Sequence, residues 1–224
     1  MKRFFCVLLF IAAVIGGLLL CDHVTRRDDS ERKFRSFYDE KQDIDVFFMG
    51  TSHVLDDITP MELWRDFGVT SYNMGTSSEC LGMTEWILKL TADVHKPKIA
   101  VIDVYYIDKP LDLEWTFSYR HLFFDSYPLS LRKFEAVRAT LPKGQWMEFM
   151  MPFSLYHSRW EELMTGTGER MINCEPFMMG SEMRIGRGEP LPYTRTHAMT
   201  EGELPGTQAL RNIIAYCREN GIEP

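Results

Sequence analysis

The pattern of apolar and polar residues changes character several times along the chain. Residues 4–21 (FFCVLLFIAAVIGGLLLC) form an unbroken apolar run, with Lys2-Arg3 before it and Asp22-His23 after it. About 18 or more apolar residues in succession can span a bilayer as a helix. A cleaved signal peptide carries a shorter apolar region, about 7–15 residues, ending at small residues. This run ends in Leu18-Leu19-Leu20-Cys21, and Leu20 also disfavours lipoprotein cleavage before Cys21. An uncleaved transmembrane anchor over residues 1–21 is expected. Lys2 and Arg3 favour a cytoplasmic N-terminus, against the weaker opposing pull of Arg26 and Arg27. The expected location is therefore the cell membrane, single-pass, with the main domain extracytoplasmic.

Residues 22–43 (DHVTRRDDSERKFRSFYDEKQD) predict a charged juxtamembrane linker or helix, solvated on most faces. The period then changes. Residues 44–49 (IDVFFM) read as a buried parallel strand ending at Gly50. Residues 60–67 predict a short helix with Thr59 as N-cap. Residues 68–74 predict a second strand ending at Gly75, and residues 83–94 a helix with Met83, Trp86, Ile87 and Leu90 on one face. Residues 99–106 (IAVIDVYY) predict a third strand. Strand, helix, strand, helix, strand is the signature of right-handed βαβ units on a parallel sheet.

Residues 107–200, rich in Met and aromatic residues without a clean period, predict a helical and irregular insertion, with helices near 129–141 and 153–164 and loop over 180–199. A final helix over 205–220 places Leu210, Ile213, Ile214 and Cys217 on one face, with Gly221 at its C-terminal cap. Ile222-Glu223-Pro224 opens what should be a further strand, so the α/β domain over 44–224 is expected to be truncated at its C-terminus.

Charge narrows the partner classes. Lys2 and Arg3 are the only charges before residue 22; beyond them 23 basic residues face 32 acidic ones, a net −9. An acidic body argues against nucleic acid, which needs a positive field. Cys6, Cys21, Cys80, Cys174 and Cys217 show no C-x-x-C spacing and no adjoining His pattern, so neither a metal site nor a disulfide framework is predicted, while a single disulfide among the last three stays compatible with the spacing. No cofactor motif is present.

The chemistry-bearing feature is Phe48-Met49-Gly50-Thr51-Ser52-His53. A strand ends at a glycine and a serine follows two residues later. In an open parallel sheet, ligands bind beyond the carboxyl ends of the strands. A helix turn after Ser52 would aim backbone N–H groups at a developing oxyanion. The second strand ends the same way, at Asn73-Met74-Gly75. Ser52 is therefore the candidate nucleophile, with Ser52 and Gly75 as candidate oxyanion donors and Gly50, Thr51, His53, Asn73 and Asp103 as candidate lining.

The runs FFMGTSHVLDDITP, SYNMGTSS and KPKIAVIDVYYI, with FDSYPLSLRKFEAV and PFSLYHSRWEEL after them, resemble the SGNH/GDSL-like proteins related to DltD, in that block order over most of residues 44–165. Those are membrane-anchored, extracytoplasmic proteins linked to acylation of cell-surface polymers. The resemblance implies a flavodoxin-like α/β/α fold and a serine esterase or O-acyltransferase that forms an acyl-enzyme at Ser52, with Gly75 supplying an oxyanion N–H. It also implies a multi-pass membrane O-acyltransferase as partner and a cell-surface polymer as substrate. The family's oxyanion Asn after the third strand has no counterpart in Ile102-Asp103-Val104-Tyr105-Tyr106. Its C-terminal Asp-x-x-His pair has none after Cys217, so this chain is expected to be inactive by itself. The alternative is a non-catalytic, membrane-tethered scaffold of a cell-envelope acylation complex.

Other candidates carry plainer readings. His53 follows Ser52 directly and is expected to line the site, cap or pack rather than serve as that serine's base. His157 reads as a surface polar residue or cleft lining, and His121 and His197 have no supporting context. Asp56 and Asp57 read as helix-start charges or solvated loop charges. Asp103, mid-strand among apolar residues, needs a partner if buried.

Overall fold

The computed structural model describes residues 2–25, 28–165, 178–181 and 202–224. The apolar N-terminal run is helix α1 (Lys2–Thr25), which is, among the described residues, the one helix long and apolar enough to cross a membrane. Its apolar side chains are largely exposed, as a lipid-facing helix requires.

The domain is mixed α/β around a parallel sheet. Strand β1 (Val46–Met49) sits centrally, with β2 (Ser71–Asn73) on one side and β3 (Ile99–Ile102) on the other. Phe47 is level with Tyr72 and with Ala100. All three strands run the same way, so Gly50, Gly75 and Asp103 emerge at one sheet edge. The crossovers are helical: α3 (Ser52–Asp57) and α4 (Pro60–Phe67) lead from β1 to β2, and α5 (Leu81–Thr91) leads from β2 to β3. Helix α11 (Thr207–Glu219) packs against α5 and ends in a Schellman turn: Gly221 is left-handed at φ 70°, and Ile222 N–H donates to Cys217 O at 2.8 Å. The residues after it join the sheet, Glu223 pairing in parallel with Ile99 on the outer side of β3.

The expected strands are present but shorter. β3 stops at Ile102 because the Asp103 carboxylate accepts from Tyr105 N–H at 2.8 Å and turns the chain. The helix expected over 60–67 has those bounds, with Pro60 at its first turn, although the Thr59 side chain makes no capping bond. Asp56 and Asp57 close α3 rather than open a helix, so the helix-start reading of these charges does not hold.

Helix α2 (Asp28–Asp39) departs from the solvated linker expected over 22–43. Phe34 and Phe37 are fully buried in the core. Phe37 meets Phe47 and Tyr72 edge-on, at 5.7 and 5.1 Å between ring centroids. Such contacts add to area burial, so α2 is part of the domain core. The first part of the predicted insertion is also core: α6 (Phe117–Phe124), α7 (Leu131–Thr140) and α8 (Trp146–Met150) contribute Phe123, Phe124, Ala136, Val137 and Phe149. The helix expected over 153–164 is broken into α9 (Phe153–Tyr156), a 3-10 turn (His157–Arg159) and α10 (Trp160–Thr165). Most of the loop expected over 180–199 lies outside the described residues, as do Cys174 and His197.

Candidate functional site

The chain leaves β1 through Gly50, whose φ of +148° and close approach to Asp103 both demand glycine: a Cβ there would lie 2.3 Å from Asp103 Cβ. That approach lets one carboxylate secure the loop. Asp103 Oδ2 accepts from the Thr51 hydroxyl at 2.7 Å and from Thr51 N–H at 3.2 Å. Thr51 is the N-cap of α3: its Oγ1 accepts from His53 N–H at 3.3 Å, and its carbonyl accepts from Val54 and Leu55. Ser52 is thus the first helical residue, partly exposed at the sheet edge. Its backbone N–H makes no hydrogen bond to another described residue.

His53 is exposed and leans edge-on against Tyr105, with 4.2 Å between ring centroids. Its Nδ1 lies 3.1 Å from Thr51 Oγ1. The single Thr51 hydroxyl proton goes to Asp103, since a carboxylate only accepts. The Nδ1 contact therefore requires Nδ1 to be the donor. Asp103, Thr51 and His53 form a chain that orients the imidazole beside Ser52. No imidazole among the described residues hydrogen-bonds to the Ser52 hydroxyl.

Asn73 and Gly75 come to the same place but are structurally committed. Asn73 is fully buried, and its amide nitrogen donates to Val54 O at 2.5 Å and Ile58 O at 2.8 Å, tying down the end of α3. Its Oδ1 accepts from Gly75 N–H at 2.9 Å. Of the two backbone donors expected to face an oxyanion, Ser52 N–H is open and Gly75 N–H is engaged. Gly75 is required by packing, because a Cβ would sit 2.7 Å from Leu55 N. The Lys33 ammonium donates to Gly75 O, and Thr76 N–H donates to Gly50 O at 2.9 Å, which locks the two strand-end loops together.

A residue that sequence reasoning missed lies behind this loop. Glu79 is buried, and its two carboxyl oxygens each meet a threonine hydroxyl, Thr76 Oγ1 and Thr84 Oγ1, at 2.6 Å. Burial pushes its pKa up to about 8, against the opposing pull of those hydroxyls and of Lys33. That shift favours the neutral carboxyl at pH 7. The T-x-x-E spacing of Thr76 and Glu79 is the available sequence signal.

The remaining candidates lie elsewhere. His121 is stacked on Phe149 between Asp125 (2.8 Å) and Glu148 (3.2 Å), a clasp between α6 and α8. His157 is exposed on the 3-10 turn after α9. Cys80 and Cys217 are buried free thiols whose pKa values burial raises. Among the described residues no group of His, Cys, Asp and Glu is arranged to hold a metal ion. Compared with family models, curated proteins and solved structures, the chain finds no match in any of the three.

Proposed function

We propose that this chain is an SGNH-type serine esterase or O-acyltransferase with a flavodoxin-like three-layer α/β/α domain, anchored by α1 and facing the extracytoplasmic side. The observation that carries the reading is the position of Ser52. It opens a helix at the carboxyl end of the central strand, its backbone N–H is unengaged, and its loop is held by Asp103 through Thr51. Ser52 Oγ attacks an acyl carbonyl, the alcohol departs, and water or an acceptor hydroxyl then takes the acyl group from the serine. The Ser52 N–H supplies one oxyanion donor. The resemblance to DltD-related proteins supports a cell-surface polymer as acceptor and a multi-pass membrane O-acyltransferase as the partner that delivers the acyl group.

The test is acyl-enzyme trapping. The full chain in detergent is mixed with p-nitrophenyl acetate and digested, and the peptide carrying Ser52 is weighed. A gain of one acetyl group on Ser52, lost in Ser52→Ala, supports the reading; acetylation confined to lysines refutes it. A second reading, a non-catalytic scaffold of the same acylation assembly, is favoured by two observations: Gly75 N–H is bound to Asn73 Oδ1, and no described imidazole contacts Ser52 Oγ.

A further inference from the structure

The end of α1 is fixed to the domain at two points. Asp22, 4% exposed, accepts from Phe153 N–H at 2.7 Å and so caps the start of α9. Arg159 Nη1 donates to Thr25 O at 2.9 Å. Helix α9 and the 3-10 turn after it pack against α1. These contacts set a depth. The apolar run ends at Cys21. At about 1.5 Å per residue, Asp22 lies roughly 1.5 Å and Thr25 roughly 6 Å beyond that point along the helix axis. A hydrocarbon core of about 30 Å within a bilayer of about 40–45 Å leaves a headgroup layer of roughly 5–7 Å on each side. Both fastening points fall inside that layer.

The segment held there exposes large apolar side chains among polar ones, His157, Ser158, Glu161 and Thr165. Leu155 is 43%, Trp160 54% and Met164 79% exposed, and Met147 on the adjoining α8 is 69% exposed. Trp160 and Met164, four residues apart on α10, share a face. Tryptophan with flanking apolar residues beside an arginine is the composition that settles at a headgroup boundary.

We propose that α9 and α10 form a membrane seat, with Leu155, Trp160 and Met164 inserted among the phospholipid headgroups on the side of the bilayer where α1 emerges. The seat rests on the reading of α1 as a membrane anchor. It holds the domain against the bilayer in a fixed attitude instead of leaving it to swing on a linker.

The test uses the full chain in phospholipid nanodiscs of phosphatidylcholine with a minority of phosphatidylglycerol. A photoreactive benzophenone amino acid replaces Leu155, Met164, Leu9 in α1, or Phe67 on α4 as an exposed apolar control. Intact mass after irradiation reads addition of one phospholipid. The expected result is lipid adducts at 9, 155 and 164 and none at 67. Adducts at 9 with none at 155 and 164 overturn the seat and leave the anchor standing. No adduct at 9 overturns the anchor, and the seat with it. Cross-links between copies of the chain at 155 and 164, or equal lipid capture at 67, also overturn the seat.

Discussion

Replacing Glu79 by glutamine should make the protein more stable at alkaline pH and flatten its pH dependence. The side chain is enclosed between Thr76 and Thr84, and its pKa rises from 4.5 to about 8. The folded state therefore holds one more proton than the unfolded chain between those values, and stability falls as pH rises through that window. Each pH unit is worth about 1.36 kcal/mol, so the full penalty above pH 8 has a ceiling of about 5 kcal/mol, reduced by relaxation and water entry. Glutamine is nearly isosteric and cannot ionise. Its amide nitrogen requires one threonine to accept, and Thr84 can turn its proton to Cys80 O, already 3.3 Å away. The assay is urea unfolding of the detergent-solubilised chain, followed by tryptophan fluorescence, across the window from 4.5 to 8. Wild type and Glu79→Gln should coincide at the acid end, and the variant should be more stable by a few kcal/mol at the alkaline end. Parallel pH profiles, or a variant weaker at every pH, would mean that Glu79 is ionised and paired, and would refute the reasoning.

Three further outcomes follow from the packing. Gly75→Ala forces a methyl to within 2.7 Å of Leu55 N; displacement of α3 should cost about 1–3 kcal/mol, as overpacking does, measured by the same unfolding. Asp103→Asn weakens both bonds to Thr51; it should slow acylation of Ser52 while changing overall stability by only about 1–2 kcal/mol, and unchanged acylation would remove Asp103 from the positioning role. Phe37→Ala empties a core position where four aromatic groups meet it, Tyr38, Phe47, Tyr72 and His95; a loss of about 3–5 kcal/mol is expected, and a loss below about 1 kcal/mol would return α2 to the status of a surface linker.

Much of the sheet was legible because buried parallel strands read as short apolar runs, and IDVFFM ends at a glycine where the structure also ends β1. Three candidate lining positions, Gly50, Thr51 and Asp103, do meet, since parallel strands deliver their carboxyl ends to one edge. Other features were hidden for physical reasons. In DDSERKFRSFYDE the charges outnumber the apolar residues, yet Phe34, Phe37 and Tyr38 fall at i, i+3 and i+4, and that narrow stripe suffices to bury α2. Asn73 looked like a site residue because of its strand-end position; its side chain instead spans two loops, a role set by the approach of α3 that one-dimensional spacing does not express. Glu79 is not legible in the sequence because a lone carboxylate reads as surface until its threonine partners and burial are known. The β3 run looked longer than it is because Asp103 ends it through a hydrogen bond to Tyr105 N–H, while the apolar pattern continues.

Labelling with a fluorophosphonate probe tests the central claim most directly, because the probe reacts covalently with an activated serine at an acyl-transfer site. The full chain in detergent or nanodiscs should be labelled once and slowly at Ser52, without turnover of ester substrates because no described imidazole reaches the Ser52 hydroxyl; Ser52→Ala should abolish the label, and heat-denatured protein should take none. No label on the native chain, or a label that persists in Ser52→Ala, would contradict a nucleophilic Ser52.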